Sequence, residues 1–370
     1  MDESEGRVAI VGAGLAGFAA YATLRHGGIA AEEITVLGPT RDPVGVWRPR
    51  AAAIRQRFMR SESDGHCLPT SFPGLAVREA LRRRSVLPLV RSACDRYHPT
   101  VEDFLDHVAK LRSRSGWDES FRAAKIRRVH AADCGFALDG HGPFRHVLLA
   151  PGHPGLAFPR ELEEDPRAVH AYEPHDYADR VTVVGAGMAA ATEWLNALAA
   201  GSSVVSVRRR EPERRPLNVP RPLFTRRGLA AFHAEPAERR AALLRDWSAP
   251  SYPPGRVWDE PLDRAARRGR FRVEAELNGV EQVICATGFR RGFRESPLLA
   301  RLVDDHNLET RASWIVLDPD ATVPALTDRT RTLALAGVPG QWAFPAADTL
   351  VGMKYAAHGF LRRVVACRTR

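Results

Sequence analysis

The same strand–turn–helix pattern occurs twice in this sequence, and it constrains the fold more than any other feature. The first copy, RVAIVGAGLAGFAAYATLRHGG, starts at Arg7, and the second copy, RVTVVGAGMAAATEWLNALAAG, starts at Arg180. In both copies a short β-branched run predicts a buried strand, and an Ala-rich helix follows a glycine turn. The helix has the same length in both copies. Two units of one architecture are therefore expected.

The first turn has the form Gly12-x-Gly14-x-x-Gly17. Gly12 allows a tight turn, Gly14 lets the backbone approach a pyrophosphate, and Gly17 lets the helix pack closely on the strand. The start of the helix favours an anion because its free N–H groups and its dipole point outward. The turn therefore predicts a dinucleotide site.

The second turn has the form Gly185-x-Gly187-x-x-Ala190, and alanine is permitted at the third position. The strand that follows runs into Arg208 and Arg209 instead of an acid. Arginine at this place suits the 2′-phosphate of NADP, whereas an NAD site uses a carboxylate on the ribose. The pattern favours NADPH over NADH. The alternative is a solvated cluster of charges in an arginine-rich chain.

The first unit lacks the acid that normally follows its second strand. Gly38 occupies that place and Pro39 follows it. Another group or a water molecule would then have to hold the ribose. If the alignment is right, a glutamate introduced at Gly38 is expected not to weaken cofactor binding.

The chain has a net charge of +10, and its basic residues are almost all arginines. Because the arginines are spread along the whole chain, they favour a general attraction for anionic ligands over a nucleic-acid surface. Five cysteines without a C-x-x-C motif argue against a disulfide framework, and the histidines show no metal-ligand spacing. The acidic N-terminus and the lack of a long apolar run argue against a signal peptide and a membrane span. We expect a cytoplasmic protein that binds no metal, nucleic acid or membrane.

Two further segments have clear patterns. Thr100, with Asp103 three residues later, is typical of a helix N-cap and predicts a helix over TVEDFLDHVAKLRSR. The segment FRVEAELNGVEQVICATGF predicts paired strands.

Taken together, these motifs and their order resemble the class B flavin-dependent monooxygenases, which include amine N-hydroxylating enzymes. The matching segments are GAGLAG, GAGMAA, VGVWR, the crossover APGHPGLAFP leading to HAYEPHDY, ICATGF, MRSESDGHCLP and GQWAFPAADTLVGMKYAA. The Baeyer–Villiger fingerprint is only partly present around Phe158 and His170, which disfavours that chemistry. The resemblance covers nearly the whole chain.

The resemblance implies an α/β fold with two Rossmann-like dinucleotide-binding domains, the NADPH domain being inserted into the FAD domain. The implied ranges are 1–178 for the first part of the FAD domain, 179–285 for the NADPH domain and 286–370 for the second part of the FAD domain.

Several site residues follow from the same resemblance. Trp47 and Arg48 match a W-R pair near FAD, although a core tryptophan beside a surface arginine is the structural alternative. Gln341 and Trp342 lie in the last loop, where the family places backbone near the flavin ring. Thr287 and Gly288 end a strand with small residues that a cofactor or a neighbouring domain can approach. The last candidates either line the oxygen-transfer pocket or belong to a plain polar loop, and they are Ser63, Asp64 and His66.

The implied reaction is reduction of FAD by NADPH, formation of a flavin hydroperoxide with molecular oxygen, and oxygenation of a nucleophilic nitrogen or sulfur atom of a small biosynthetic molecule. The cofactor carries this chemistry, so no catalytic side chain is assigned. Another FAD-dependent NADPH oxidoreductase or oxidase, and a non-catalytic nucleotide-binding protein, remain alternatives. An oligomer is possible on this interpretation.

Overall fold

A computed structural model describes residues 7–60, 74–94, 96–132, 135–215, 218–278 and 282–368. The strands, numbered in chain order, are β1 Val8–Val11, β2 Ile34–Gly38, β3 Phe121–Ala123, β4 His130–Ala132, β5 Gly135–Leu138, β6 His141–Phe144, β7 His146–Leu149, β8 Ala168–His170, β9 Arg180–Val184, β10 Ser203–Val207, β11 Glu213–Arg214, β12 Ser251–Tyr252, β13 Phe271–Glu274, β14 Gln282–Cys285, β15 Thr310–Arg311, β16 Trp314–Ile315 and β17 Thr332–Leu335.

The α-helices are numbered in the same way. They are α1 Leu15–His26, α2 Trp47–Ala53, α3 Gly74–Arg83, α4 Leu87–Ala93, α5 Val101–Ser115, α6 Trp117–Ser120, α7 Met188–Ala200, α8 Arg226–Ala234, α9 Ala237–Trp247, α10 Arg256–Arg267, α11 Pro297–His306 and α12 Leu350–Ala366. In the described part of the chain, none of these helices combines the length and the apolarity needed to cross a membrane.

The first sheet is parallel, with the strand order β17-β7-β1-β2-β3. Val8 of the central strand β1 is in register with Ile34 on one side and His146 on the other. Every residue of β1 and β7 is buried, as expected for a parallel sheet covered on both faces. Helix α1 packs against α12, and Leu361 of α12 lies directly over Gly27.

The second sheet is also parallel, with the order β13-β10-β9-β14-β8. Its strands lie, in chain order, between β7 and β17 of the first sheet. Trp194 of α7 is fully buried and contacts Tyr252 and Phe271 edge-on. Strand β8 belongs to this sheet although it precedes residue 179, where the sequence predicts that the NADPH domain begins. The α/β class with two parallel sheets is confirmed.

One strand prediction is wrong. Strands β13 and β14, which the sequence suggests to be partners, do not pair, because β10 and β9 lie between them. In a parallel sheet the neighbours of a strand are set by helical crossovers, and the apolar pattern of a strand carries no information on its partner.

The helix predicted after Thr100 is confirmed as α5. The hydroxyl of Thr100 accepts a hydrogen bond of 3.0 Å from the backbone N–H of Asp103. By contrast, α2, α3 and α4 lie in a segment where the sequence shows little regular pattern, so they were not predicted.

Candidate functional site

The first glycine turn joins β1 to α1 at the carboxyl edge of the first sheet. Gly12 has a φ of +107°, and a Cβ there would lie 2.1 Å from the carbonyl oxygen of Ala150. Its N–H donates a 2.8 Å hydrogen bond to the carbonyl of Leu37. Glycine is required here both by the positive φ and by the close approach of the backbone that follows the neighbouring strand β7.

The start of α1 is open for a ligand. Gly14 is the N-cap residue, and no side chain within the described ranges caps the helix there. No heavy atom of the described residues lies within 4 Å of the Cβ that Gly14 lacks, whereas a Cβ at Gly17 would lie 1.8 Å from the Gly12 carbonyl oxygen. Among the described helices, α5, α8 and α12 are capped by Thr100, Thr225 and Thr349, whereas others such as α9 and α11 also lack a capping side chain. The turn therefore fits a pyrophosphate on the free N–H groups of α1.

The second glycine turn repeats this arrangement at the carboxyl edge of the second sheet. Gly185 has a φ of +136°, and a Cβ there would lie 2.5 Å from the Ala286 carbonyl oxygen. Gly187 is the N-cap of α7, again with no capping side chain in the part of the chain that the structure describes. Ala190 is fully buried beneath it. The two turns thus offer the same kind of anion site.

Arg208 and Arg209 follow β10, next to the second turn, but they differ in environment. The Arg208 side chain is only 12% exposed, lies over the Trp194 ring at 5.5 Å and pairs with Glu211 at 2.8 Å. The Arg209 side chain is 90% exposed, and a carboxylate oxygen of Glu161 lies 3.9 Å away. The Glu211 side chain is 78% exposed, so the carboxylate that pairs with Arg208 is open to water.

The geometry around position 38 argues against the expectation that a glutamate there leaves cofactor binding unchanged. A Cβ on Gly38 would lie 2.7 Å from the Cβ of Ala13 and 2.9 Å from its backbone nitrogen. The end of β2 therefore passes too close to the first turn for any side chain. The next acid along the chain, Asp42, closes its own loop by accepting hydrogen bonds from the Val44 N–H and from Arg48.

Trp47 and Arg48 start α2 just after this loop. Trp47 is half-buried and contacts Phe104 edge-on, with ring centroids 5.5 Å apart. The Arg48 side chain is 54% exposed and pairs with Asp42 at 3.1 Å. Their place beside FAD stays a prediction. Ser63, Asp64 and His66 lie outside the described residues.

Thr287 and Gly288 follow β14 and are held by the crossover between the two sheets. The hydroxyl of Thr287 donates a hydrogen bond to the carbonyl of Ala157, and the Ala157 N–H donates one of 3.0 Å to the carbonyl of Gly288. Because β14 ends beside Gly185, these residues lie at the same carboxyl edge as the second turn.

Gln341 and Trp342 follow β17 at the carboxyl edge of the first sheet. Trp342 is buried, with the Arg240 guanidinium 4.3 Å from its ring and donating to its carbonyl at 2.6 Å. Gln341 instead faces a cavity of about 220 Å³, where its Oε1 accepts a 3.5 Å hydrogen bond from Trp314. Gly152, which follows β7, also lines this cavity.

An aromatic stack that the sequence did not reveal lies where the crossover meets the segment after β14. His153 stacks on Phe289 at 3.9 Å, Phe289 on Tyr172 at 4.9 Å and Tyr172 on His170 at 5.6 Å. Arg50 lies 5.0 Å from the Phe289 ring. The aromatic residues of HAYEP and ICATGF were the available signal, but they are far apart in the chain.

The stack is electrically neutral near pH 7. Burial lowers the pKa of His153 to about 4, assisted by the positive charges of Arg50 and Arg291. Burial also lowers the pKa of His170 to about 4. Nearby, Arg60 donates a 3.0 Å hydrogen bond to Thr192 in the first turns of α7. The fixed charges at this place are therefore mainly cationic, which favours phosphate ligands.

No protein-family profile and no curated protein sequence matches the chain. Among solved structures, the ornithine hydroxylase of Pseudomonas aeruginosa is 15% identical with a TM-score of 0.70, over 97% of this chain and 99% of that one. The ornithine N-hydroxylase of Kutzneria sp. 744, solved with reduced FAD, NADP⁺ and L-ornithine, is 16% identical with a TM-score of 0.71, over 99% and 100%. The bacillithiol disulfide reductase of Bacillus cereus is 13% identical with a TM-score of 0.60, over 98% and 99%.

At these identities the likeness concerns the fold. The chain has the fold of these enzymes over nearly its whole length. The fold implied by the resemblance to class B flavin monooxygenases is confirmed, and the disulfide reductase shares it.

Proposed function

We propose that this chain is an FAD- and NADPH-dependent monooxygenase that oxygenates a nucleophilic nitrogen or sulfur atom of a small biosynthetic molecule. One observation carries the proposal. Two uncapped glycine turns, at Gly14 and Gly187, stand at the carboxyl edges of two parallel sheets, in a fold that an ornithine N-hydroxylase with FAD and NADP⁺ shares. The carboxyl edge is where parallel sheets bind their ligands.

In this proposal the first sheet holds FAD. Gly12, Gly14 and Gly17 form the turn on which the pyrophosphate rests. Trp47 and Arg48, with Gln341 and Trp342, follow strands at the same edge, and we place them beside the rest of the cofactor.

The second sheet holds NADPH on Gly185, Gly187 and Ala190, with Arg208 and Arg209 on its 2′-phosphate. Thr287 and Gly288 border that site. The order of the strands supports an NADPH domain inserted into an FAD domain, with the boundaries proposed near residues 178 and 285. Because β8 belongs to the second sheet, residues 168–170 are assigned to the NADPH domain although they precede the boundary near residue 178.

When bound, FAD supplies the redox chemistry: it accepts hydride and activates oxygen. The residues of the chain bind the cofactors, orient the substrate and exclude water from the site. We place the stack of His153, Phe289 and Tyr172 as a wall between the two sites, where the positive charge that attracts phosphates comes from arginines such as Arg50 and not from the neutral histidines.

The likeness to a disulfide reductase makes thiol chemistry the second candidate. Burial raises the pKa of the Cys285 thiol to about 12, so this cysteine at the end of β14 stays protonated and is a poor nucleophile. Cys67 and Cys134 lie outside the described residues, and the sequence has no C-x-x-C motif. The monooxygenase proposal is therefore favoured.

The experiment is incubation of the FAD-loaded protein with NADPH, oxygen and a panel of amines and sulfides, with NADPH consumption compared with peroxide release. A monooxygenase with its substrate consumes NADPH without stoichiometric peroxide and yields an oxygenated product. Stoichiometric peroxide with every compound would indicate an oxidase. NADPH-dependent reduction of disulfides in the absence of oxygen would indicate a reductase.

A further inference from the structure

We propose that the cavity beside Gln341 binds the carboxylate of the substrate, and that the substrate is a small organic acid with an apolar body. The cavity lies between residues that follow β7 and β17, the helix α9, the start of α11 and β16. The inference rests on the proposed function only in taking the occupant to be the molecule that is oxygenated.

The floor of the cavity is apolar. Phe293, Leu299 and Ile315 line it and are buried in the protein core, and Trp314 lines it while half-buried. At about 220 Å³, the cavity is below the range of roughly 300–1,000 Å³ that is usual for drug-sized ligands. It therefore suits a compact molecule with an apolar body.

Two arginines supply the only charged side chains among the described residues that line the cavity. Arg245 comes from α9, and Arg291 follows β14; both are exposed. Arg291 donates a 3.3 Å hydrogen bond to the carbonyl of Ser248, which leaves most of its N–H groups available.

Neither arginine has a carboxylate partner within 4.0 Å in the described ranges, although the neighbours of Arg291 in the chain do. Arg290 pairs with Glu163 at 3.0 Å, and Arg294 pairs with Asp304 at 2.6 Å. Asp348 is within electrostatic range of Arg291, but it does not line the cavity. The cavity thus presents unpaired guanidinium groups next to apolar side chains.

This combination of guanidinium groups and apolar side chains favours a ligand with a negative charge. A carboxylate can accept charge-assisted hydrogen bonds from the guanidinium groups while its apolar part packs on the floor. An amine that is protonated at neutral pH would meet two cations, and no acid among the described residues that line the cavity. We therefore infer that the reacting nitrogen or sulfur is uncharged when the substrate enters.

The test uses the FAD-loaded protein and a panel of simple probes: hexanoate, benzoate and phenylacetate, each compared with its neutral amide and its primary amine. Binding is measured through tryptophan fluorescence and through thermal stabilisation. We expect at least one acid to bind, with its amide and amine at least about tenfold weaker, a difference of about 1.4 kcal/mol.

Arg245→Gln and Arg291→Gln should each raise the Kd of that acid about three- to tenfold, since partly exposed ion pairs are weaker than buried ones. Arg239→Gln is the matched control, because Arg239 is an exposed residue of the same helix that does not line the cavity. Its Kd should stay within twofold of the parent value.

The inference is overturned if no acid binds, if acid and amide bind equally, or if the two arginine variants bind the acid like the parent. Bound FAD and its reduction by NADPH are measured on the same samples. If both are intact while acids fail to bind, the cavity assignment is wrong and the proposed function stands. If FAD is not bound at all, the proposed function itself fails.

Discussion

Gly38 ends a buried strand at the point where β2 passes beside the first glycine turn. Its missing side chain is explained by packing, since a Cβ would lie 2.7 Å from that of Ala13. The lack of an acid at this position is thus a consequence of local geometry and does not argue against a nucleotide there.

We therefore predict that Gly38→Ala destabilises the protein by about 1–3 kcal/mol, because overpacking a rigid contact forces the backbone apart. Gly38→Glu should do so more strongly and lower the bound FAD. The melting temperature and the flavin content of the purified variants measure both effects. Gly155→Ala is the control, since its Cβ would meet only Arg290 Cδ, at an ordinary 3.7 Å. Equal melting temperatures for the parent and Gly38→Ala would refute the packing explanation.

The two arginines after β10 allow a separate prediction. Replacing Arg208 and Arg209 together with alanine should raise the KM for NADPH about ten- to a hundredfold, through the loss of charge-assisted bonds to the 2′-phosphate. The KM for NADH, which has no such phosphate, should change by less than about threefold. Steady-state reduction of the flavin with each cofactor measures both. Equal losses for the two cofactors would show that these arginines have a general role.

The glycine turns could be predicted because their spacing is a pattern within a few residues of the chain, although the backbone that Gly12 and Gly185 approach, at Ala150 and Ala286, is distant in sequence. The cavity could not be predicted in this way. Arg245 and Arg291 come from separate segments, and neither differs locally from the other arginines of the sequence. Only the fold brings them to one opening.

At the scale of elements, helix α7 is tied to the crossover segment by a buried polar cluster. Glu193 of α7 is fully buried and accepts hydrogen bonds from His175, at 3.0 Å, and Tyr177, at 2.8 Å. The other ring nitrogen of His175 lies 2.7 Å from the carbonyl of Glu173. With both ring nitrogens facing acceptors, the imidazolium form of His175 is favoured.

This cluster makes stability depend on pH. Burial alone would lower the pKa of His175, but its hydrogen bonds to Glu193 and Glu173 and the charge of Glu193 outweigh burial and raise it. A raised pKa in the folded state stabilises the fold fully below the unfolded value of about 6.5, and this stabilisation is lost as pH rises through the higher folded value.

His175→Gln should therefore lower the melting temperature most near pH 6, where the loss corresponds to roughly 3 kcal/mol, as for a buried ion pair that loses one partner. The difference from the parent should shrink towards pH 9. Melting curves across this range measure it. A difference that is constant with pH would show that His175 contributes by packing alone.

The strands of both sheets could be located from the sequence, whereas their partners could not. Short apolar runs identify β1, β9 and β14 because both faces of these strands are buried. The order β13-β10-β9-β14-β8 depends on the crossovers and is invisible in the apolar pattern of any one strand. Helices α2 and α4 were missed because each has only seven residues, and the amphipathic pattern of the longer α3 was overlooked.

At the scale of the whole molecule, the two five-stranded parallel sheets each have a glycine turn at the carboxyl edge, and the crossover between them carries the aromatic stack. The excess of arginine gives this molecule a net charge of +10. Such a charge attracts phosphate-bearing cofactors over a distance set by ionic strength. The fold and the cationic surroundings thus favour the same class of ligand.

The decisive measurement is an anaerobic titration of the purified, FAD-loaded protein with NADPH, followed through the visible absorbance of the flavin. We predict one FAD per chain, full bleaching by NADPH and recovery of the colour when oxygen is admitted. Gly14→Val should be folded but colourless, since no described atom lies near the position of its Cβ and only the pyrophosphate would be blocked. A parent protein that takes up no added FAD, or whose flavin NADPH does not bleach, would contradict the two-site proposal.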